Sequence, residues 1–328
     1  TKNWRIGTEL KTRVTAPDGW KIVGADFDGQ EMQIAASYAD AWDTGIVGGS
    51  PMGFNVLSGS KEAGTDPHSA LASSVGVDRD TAKIAGFAML YGAGARAVTT
   101  YIRKKYPEKP EREVKELAQR MLRTKKGVRD NKEEPYQQGS DSGCYNFMEK
   151  IAMKTKVPQL PTLGTKISTA LRPAAVGGDF ATGRNNWTIQ ASGAEILATI
   201  LTATHWLMDE FKIPGRFILS IHDEVWWMVP DKYAEQFAVL YQMAHVYTWA
   251  LFHNQVGMPD LPLSRAFFSS VAIDTRIRKS PNEKTVTPSH PKGKDEEFGV
   301  EHSMRELGEI GAVDKLTTRY SLIQRGLL

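Results

Sequence analysis

Apolar and polar positions follow two different periods along this chain, and the changes of period mark its elements. Lys21-Ile22-Val23-Gly24-Ala25-Asp26-Phe27 is a short apolar run rich in strand formers that ends at Asp28-Gly29, a turn signal. A helix is predicted from Gln30 to Ala39. Asp66-Pro67 opens another, with Pro at its first helical position. A longer helix starts near Asp78, whose side chain can cap it, and runs to Leu90, before Tyr91-Gly92-Ala93-Gly94. Pro107 and Pro110 precede a charged helix from Glu111 to Lys125. From Lys125 to Gly143 the chain is polar and rich in Gly, Asn, Gln, Asp and Ser, the composition of a surface loop or linker.

In the second half, Pro161-Thr162-Leu163-Gly164-Thr165-Lys166-Ile167 reads as a turn between short strands. After Gly183 a long helix is predicted, with Ile189, Ile196, Ile200, Ala203 and Leu207 as its buried stripe. Phe217 to Ile221 and Val225 to Val229 are apolar runs on either side of His222-Asp223-Glu224, the pattern of a β-hairpin with an exposed polar tip. A helix from Asp231 to Asn254 and a strand from Ser269 to Ile277 complete the pattern. The polar stretch from Ser280 to Leu328 is expected on the surface, and no internal repeat is present. The fold class is α+β.

Composition changes little. At 328 residues the chain exceeds the usual size of one domain, so two subdomains are expected. A net charge of +3 is too small to bind nucleic acid by itself, and any such contact must come from local placement of Lys and Arg. The single cysteine, Cys144, excludes an internal disulfide and a Cys-rich zinc site. No stretch approaches the roughly 20 apolar residues needed to span a bilayer. The chain opens on Thr1 in polar sequence, without an initiator Met or a leader, and is expected to be a piece of something longer.

The candidate chemistry lies in two acidic signatures, Asp26-Phe27-Asp28-Gly29-Gln30-Glu31 and His222-Asp223-Glu224, each directly after a predicted strand. If those strands are neighbours in one sheet, Asp26 and Asp223 converge, and the backbone carbonyl of Phe27 offers a third oxygen. For an isolated Asp at a strand end, a solvated turn residue is the commoner reading of Asp26. Asp223 is harder to dismiss, because Asn-Gly or Asp-Gly would be normal at the tip of an apolar hairpin. Glu224 takes a secondary place. Between the signatures, Arg79, Lys83, Phe87 and Tyr91 advance about 40° per step along roughly 18 Å of helix. They form one cationic and aromatic face, opposite Ala82, Ala85 and Met89. Taken alone this is an ordinary amphipathic helix. With the carboxylates it is what nucleotidyl transfer demands: paired carboxylates for Mg²⁺ ions, cations for phosphates and flat rings for sugar and base.

The three signatures resemble motifs A, B and C of family A DNA polymerases, in order and residue type. The likeness to the mitochondrial gamma branch extends over most of the chain. It is carried by Val23-Gly24-Ala25-Asp26 with Asp28 and Gln30-Glu31, Gly64-Thr65-Asp66 with His68-Ser69, Tyr91-Gly92-Ala93-Gly94, Ser220-Ile221-His222-Asp223-Glu224-Val225, and Ala266-Phe267-Phe268-Ser269. The resemblance implies a right-hand polymerase. Residues 1–45 would be the first part of the palm, 46–159 helical fingers, 160–279 the second part of the palm with its antiparallel sheet, and 280–328 a C-terminal surface extension. It implies Asp26, Asp223 and the Phe27 carbonyl as holders of two Mg²⁺ ions, with Glu224 beside them. Arg79, Lys83 and His68 would bind the incoming dNTP, Glu31 would be the steric gate at the sugar 2′ position, and Phe87 and Tyr91 would meet sugar and base. Asn186 and Gln190, four apart on one helix, resemble minor-groove readers, and His222 is placed with them as a DNA contact. The implied partners are primer-template DNA and dNTPs, with a polymerase accessory subunit, and the implied location is mitochondrial.

Two features depart from that pattern. Mitochondrial members usually carry Tyr where this chain has Phe87, as bacterial relatives do, which implies stronger discrimination against dideoxynucleotides. The Lys125–Gly143 segment is also shorter than the corresponding region. A single-subunit RNA polymerase fits less well at Glu31 and Glu224, whereas a bacterial or phage family A enzyme fits Phe87 but not the segments around His68 and Phe267. An inactive DNA-binding remnant is the reading from a different class.

Overall fold

The computed structural model describes residues 10–131, 133–153, 157–178, 181–267, 269–278 and 299–328. In chain order its elements are β1 (Trp20–Asp26), α1 (Gln30–Asp43), α2 (Pro51–Ser58), α3 (Pro67–Val75), α4 (Arg79–Leu90), α5 (Ala95–Lys105), α6 (Glu111–Lys126) and α7 (Ser142–Ala152). There follow α8 (Pro173–Val176), α9 (Ala181–Glu210), β2 (Arg216–Ile221), β3 (Glu224–Pro230), α10 (Ala234–Val256), α11 (Leu263–Ala266), β4 (Val271–Asp274), β5 (Val300–His302), α12 (Met304–Glu309) and α13 (Ala312–Gln324). Two compact units result. The first comprises residues 1–28, 197–249 and 263–328, and the second 29–196 and 250–262.

The first unit is built on an antiparallel sheet in the order β2-β3-β1-β4-β5. β1 pairs with β3 from Trp20 opposite Pro230 to Asp26 opposite Glu224, and with β4 from Ile22 opposite Asp274 to Gly24 opposite Ala272. Side chains alternate between faces along such strands. Ile22, Trp226 and Ala272 cluster on one face with Ile277. Val23, Ala25, Val225, Trp227 and Val229 are buried as well. The ring of Trp227 meets those of His205, Phe217 and Phe237, with centroids 5.0, 5.6 and 5.8 Å away. Gly24 is required where it stands: a Cβ there would meet the Val225 carbonyl at 2.2 Å and the Trp226 ring at 2.7 Å.

The second unit is helical. Leu71, Ala72 and Val75 of α3, Ala82, Ala85 and Met89 of α4, Val98 and Ile102 of α5, and Val114, Leu117, Ala118 and Met121 of α6 share one core. The caps anticipated from sequence are present. Asp66 accepts from the His68 N–H with Pro67 at the first position, and Asp78 accepts from the Thr81 N–H.

Several expectations change. The predicted strand Ser269–Ile277 shortens to β4, Phe268 lies outside the described residues, and Pro161–Ile167 contributes one bridge, Gln159 with Lys166, rather than strands. In the long helix, Ile189, Ile196, Ile200 and Leu207 are buried but Ala203 is only half-buried. The Lys125–Gly143 segment is not simply a surface linker, because both Lys125 and Asp141 are buried. Of the C-terminal stretch, residues 280–298 lie outside the described part. The remainder joins the sheet through β5 and buries Leu307, Ala312 and Leu316. A three-residue strand is too short to show a period in sequence.

Gly24→Ala is expected to lower stability by about 1–3 kcal/mol, since the added methyl has only backbone and a locked indole to displace. Urea unfolding measures this, and an unchanged midpoint would show that the strands separate freely.

Candidate active site

The hairpin turn between β2 and β3 consists of His222 and Asp223. His222 lies in the left-handed region at φ 59, a conformation that Gly adopts without penalty and that costs most other residues about 1–2 kcal/mol. A strained turn of this kind is tolerated when its side chains do something else. The His222 imidazole Nδ1 is 3.0 Å from Asp223 Oδ1, and about half of the His222 side chain is exposed. The β1–β3 register carries Asp26 opposite Glu224, and beyond it the Phe27 N–H donates to the Asp223 carbonyl at 3.3 Å. The structure therefore brings Asp26, Phe27, Asp223 and Glu224 together at one end of the sheet, with Asp26 and Asp223 partly open to solvent.

Glu224 is already engaged. Its two carboxylate oxygens lie 2.5 and 2.7 Å from the Lys11 ammonium, and the Trp226 indole N–H donates to one of them at 3.3 Å. Nothing in the sequence flags Lys11, whose partner is more than two hundred residues away. Beneath this end, the buried Phe27 ring stands edge-on to His245 at 5.3 Å, and His245 to Tyr241 at 4.7 Å. Burial pulls the His245 imidazole down to about 3, so it packs as a neutral ring. Burial also raises the Asp28 carboxyl.

In the second unit, the four-residue face of α4 is as expected. Lys83 is exposed and Arg79, Phe87 and Tyr91 are half-buried, while Ala82, Ala85 and Met89 face the core. The Arg79 guanidinium donates to Asp66 through Nη2 at 2.9 Å and Nε at 3.2 Å. Burial pushes the Asp66 carboxyl up, but its bonds from Arg79, Ser69 and the His68 N–H outweigh this and hold it well below the usual carboxylate range. A guanidinium has five donors, so three remain for another anion. Lys83 has no polar partner among the described residues. The His68 ring lies 5.5 Å from Phe87, which lies 6.2 Å from Tyr91. Burial, and then the charge of Lys125, pull His68 down to about 4. The Tyr91 hydroxyl donates to Glu31 Oε1 at 3.2 Å, tying together two residues 60 apart in sequence. On α9, Asn186 is half-buried and Gln190 exposed.

With this geometry in view, the model of DNA polymerase family A matches residues 3–256, well over half of the chain. The chain belongs to DNA polymerase family A. Its relatives include the DNA polymerase subunit gamma-1 of Gallus gallus, 33% identical over 90% of this chain and 53% of its own length. The mitochondrial DNA polymerase gamma of Neurospora crassa is 37% identical over 88% of this chain and 20% of its own length. The mitochondrial subunit gamma-1 of Drosophila melanogaster is 34% identical over 95% and 30%. The chain thus spans about half of these relatives' length or less. Among solved structures, the POL domain of Pol1 from M. smegmatis, in a complex with DNA primer-template and dNTP, superposes with a TM-score of 0.56. It covers 82% of this chain and 42% of its own at 16% identity. That likeness establishes the fold: the mixed helical and antiparallel architecture is that of a family A polymerase domain. No helix among the described residues is long and apolar enough to cross a membrane.

Relieving the left-handed strain by His222→Gly is expected to raise stability by up to about 1 kcal/mol. Thermal unfolding checks it, and a lower midpoint would mean that the His222 side chain holds the turn together.

Proposed function

We propose that this chain is the polymerase region of a DNA-directed DNA polymerase, adding dNTPs to a primer 3′ end on a DNA template. The observation that carries the reading is the placement of Asp26 and Asp223 at one end of the sheet, linked through the Phe27 N–H and the Asp223 carbonyl. Family membership and the gamma-type relatives support it. In this reading strands β1 to β4 belong to the palm (residues 1–45 and 160–279) and the helices α3 to α6 to the fingers (46–159). Primer-template DNA and dNTPs are the substrates, an accessory subunit is a candidate partner, and the location is mitochondrial.

The oxygen donors at the sheet end suit magnesium, which uses one or two carboxylates plus substrate phosphates. Among the described residues no group of three or more His, Cys, Asp or Glu could cage an ion by itself, and magnesium held in that shared way needs none. Asp26, Asp223 and the Phe27 carbonyl would hold two ions, which supply stabilisation of the attacking and leaving oxygens. Glu224, neutralised by Lys11, supports the strand end.

The remaining steps belong to side chains. Lys83 offers its ammonium to the triphosphate, and Arg79 offers the donors that Asp66 does not use. His68, kept neutral, can donate a hydrogen bond without repelling the neighbouring cations. The Glu31 carboxylate, steadied by Tyr91, occupies the place that a ribose 2′-hydroxyl would need. Phe87 and Tyr91 give flat surfaces to sugar and base. Asn186 and Gln190 test base-pair shape in the minor groove, where every correct pair presents acceptors, and His222 is a further DNA contact.

Asp223→Ala is expected to reduce primer extension by roughly 10²–10³-fold or more, the scale of losing one electrostatic element of a transition state. Duplex affinity in a filter-binding assay should stay close to that of the parent. Extension that survives the substitution would point to a DNA-binding protein without catalysis at this site.

A further inference from the structure

Helix α4 ends in a turn that satisfies its last carbonyls from within. The Ala93 N–H donates to the Ala88 carbonyl and the Gly92 N–H to the Met89 carbonyl, both at 2.8 Å, with Gly92 in the left-handed region at φ 94. The Gly92 carbonyl itself is taken up from another element. The hydroxyl of Thr182, in the first turn of α9, donates to it at 3.2 Å across 90 residues of sequence. The approach is close, since a Cβ on Gly92 would stand 2.7 Å from Thr182 Cγ2 and 2.9 Å from Thr182 Cα. A glycine is therefore needed at position 92 twice over, for its φ and for the space that Thr182 fills.

This contact closes a frame of three helices. The Tyr91 hydroxyl donates to Glu31 Oε1 at 3.2 Å, which ties the end of α4 to α1. The hydroxyls of Tyr38 on α1 and Ser192 on α9 are 2.6 Å apart, and both residues are fully buried. The end of α4 is thus joined to α1 through Tyr91 and to α9 through Gly92, and α1 and α9 are joined to each other. A single hydrogen bond between side chains acts as a pivot, and a second one at the neighbouring residue removes the rotation that the first allows. Asn186 follows Thr182 by four residues, so the two share a face of α9 about 6 Å apart along its axis. Thr182 therefore connects the residue beside Tyr91 to the helical turn that leads to Asn186.

We propose that Thr182 is a positioning residue for the nascent base pair: by holding the Gly92 carbonyl, it keeps Tyr91, which meets the base, at a set distance from Asn186, which meets the minor groove. This deepens the polymerase reading and rests on it. A correctly shaped pair satisfies both groups at their fixed spacing. A mismatched pair displaces its base or its minor-groove acceptors and satisfies one group only by losing the other. Discrimination then comes from the stiffness of the frame, because a frame that yields lets the wrong pair reach the transition state as well. Thr182 acts through Tyr91 rather than by contact with the substrate.

The test compares, in the whole chain, Thr182→Val, which removes the hydroxyl and keeps the branched shape, with Thr182→Ser, which keeps the hydroxyl. Its readouts are kcat/KM for correct and mismatched dNTPs in primer extension, and the fluorine NMR signal of Tyr91 in protein labelled with fluorotyrosine, identified among the ten tyrosines by the signal that Tyr91→Phe removes. In Thr182→Val the ratio of correct to mismatched kcat/KM should fall about three- to tenfold, the scale of one neutral hydrogen bond, through faster mismatched insertion with correct insertion within about twofold. The Tyr91 signal should shift or broaden. Thr182→Ser should match the parent in both. A parental ratio in Thr182→Val would overturn the proposal whether or not the Tyr91 signal moves, and so would a fallen ratio that Thr182→Ser shares. A Thr182→Val chain that cannot fold would overturn it too, since the hydroxyl would then hold up the fold rather than the base pair. If the parent protein extends no primer, the polymerase reading falls, while the Tyr91 signal still decides whether Thr182 fixes the end of α4.

Discussion

The register between β1 and β3 is the constraint on which the candidate chemistry depends. Asp26 stands opposite Glu224 because every pair from Trp20 with Pro230 onward is aligned, and that alignment brings Phe27 to Asp223. A slip of one residue would turn Asp26 to the other face of the sheet and send Ile22 with it. Two features oppose such a slip. Gly24 fits against Trp226 only because it has no side chain there, and β3 and β1, the strands between β2 and β4, bury consecutive residues, so that both of their faces are committed to packing. Packing of the sheet and placement of the carboxylates are therefore one problem, solved by the same residues.

Charge is handled differently in the two units. At the sheet end, three acidic residues in a small space would repel one another, and Lys11 neutralises Glu224 so that Asp26 and Asp223 face solvent without it. On the α3–α4 face, the problem is an excess of cations. Asp66 engages Arg79, and His68 stays neutral beside them. Lys83 alone of this set is exposed with no polar partner among the described residues. An anion arriving there meets one open ammonium and a guanidinium already fixed in place, and so few side chains need to be ordered on binding.

Much of this was legible in the sequence where the signal is local. The apolar run to Phe27, the hairpin around His222 and Asp223, the caps at Asp66 and Asp78, and the inward set Ala82, Ala85 and Met89 follow from period and turn chemistry within a dozen residues. What was not legible depends on distant partners. Lys11 with Glu224 and Tyr91 with Glu31 join residues that no local pattern relates. The stretch from Lys125 to Gly143 reads as a surface linker because its composition is polar, and composition does not reveal that Lys125 and Asp141 pair out of solvent. β5 escaped notice because its place in the sheet comes from the partner strand β4, not from its own sequence.

The account centres on Asp26 and Asp223 acting as one ion-holding pair, and anomalous diffraction with Mn²⁺ in place of Mg²⁺ tests that most directly. Crystals of the protein with primer-template DNA and a non-hydrolysable dNTP should show anomalous density between the carboxylate oxygens of Asp26 and Asp223, within coordination distance of the Phe27 carbonyl. Density held by other residues, or none at these carboxylates with nucleotide bound, would contradict the account.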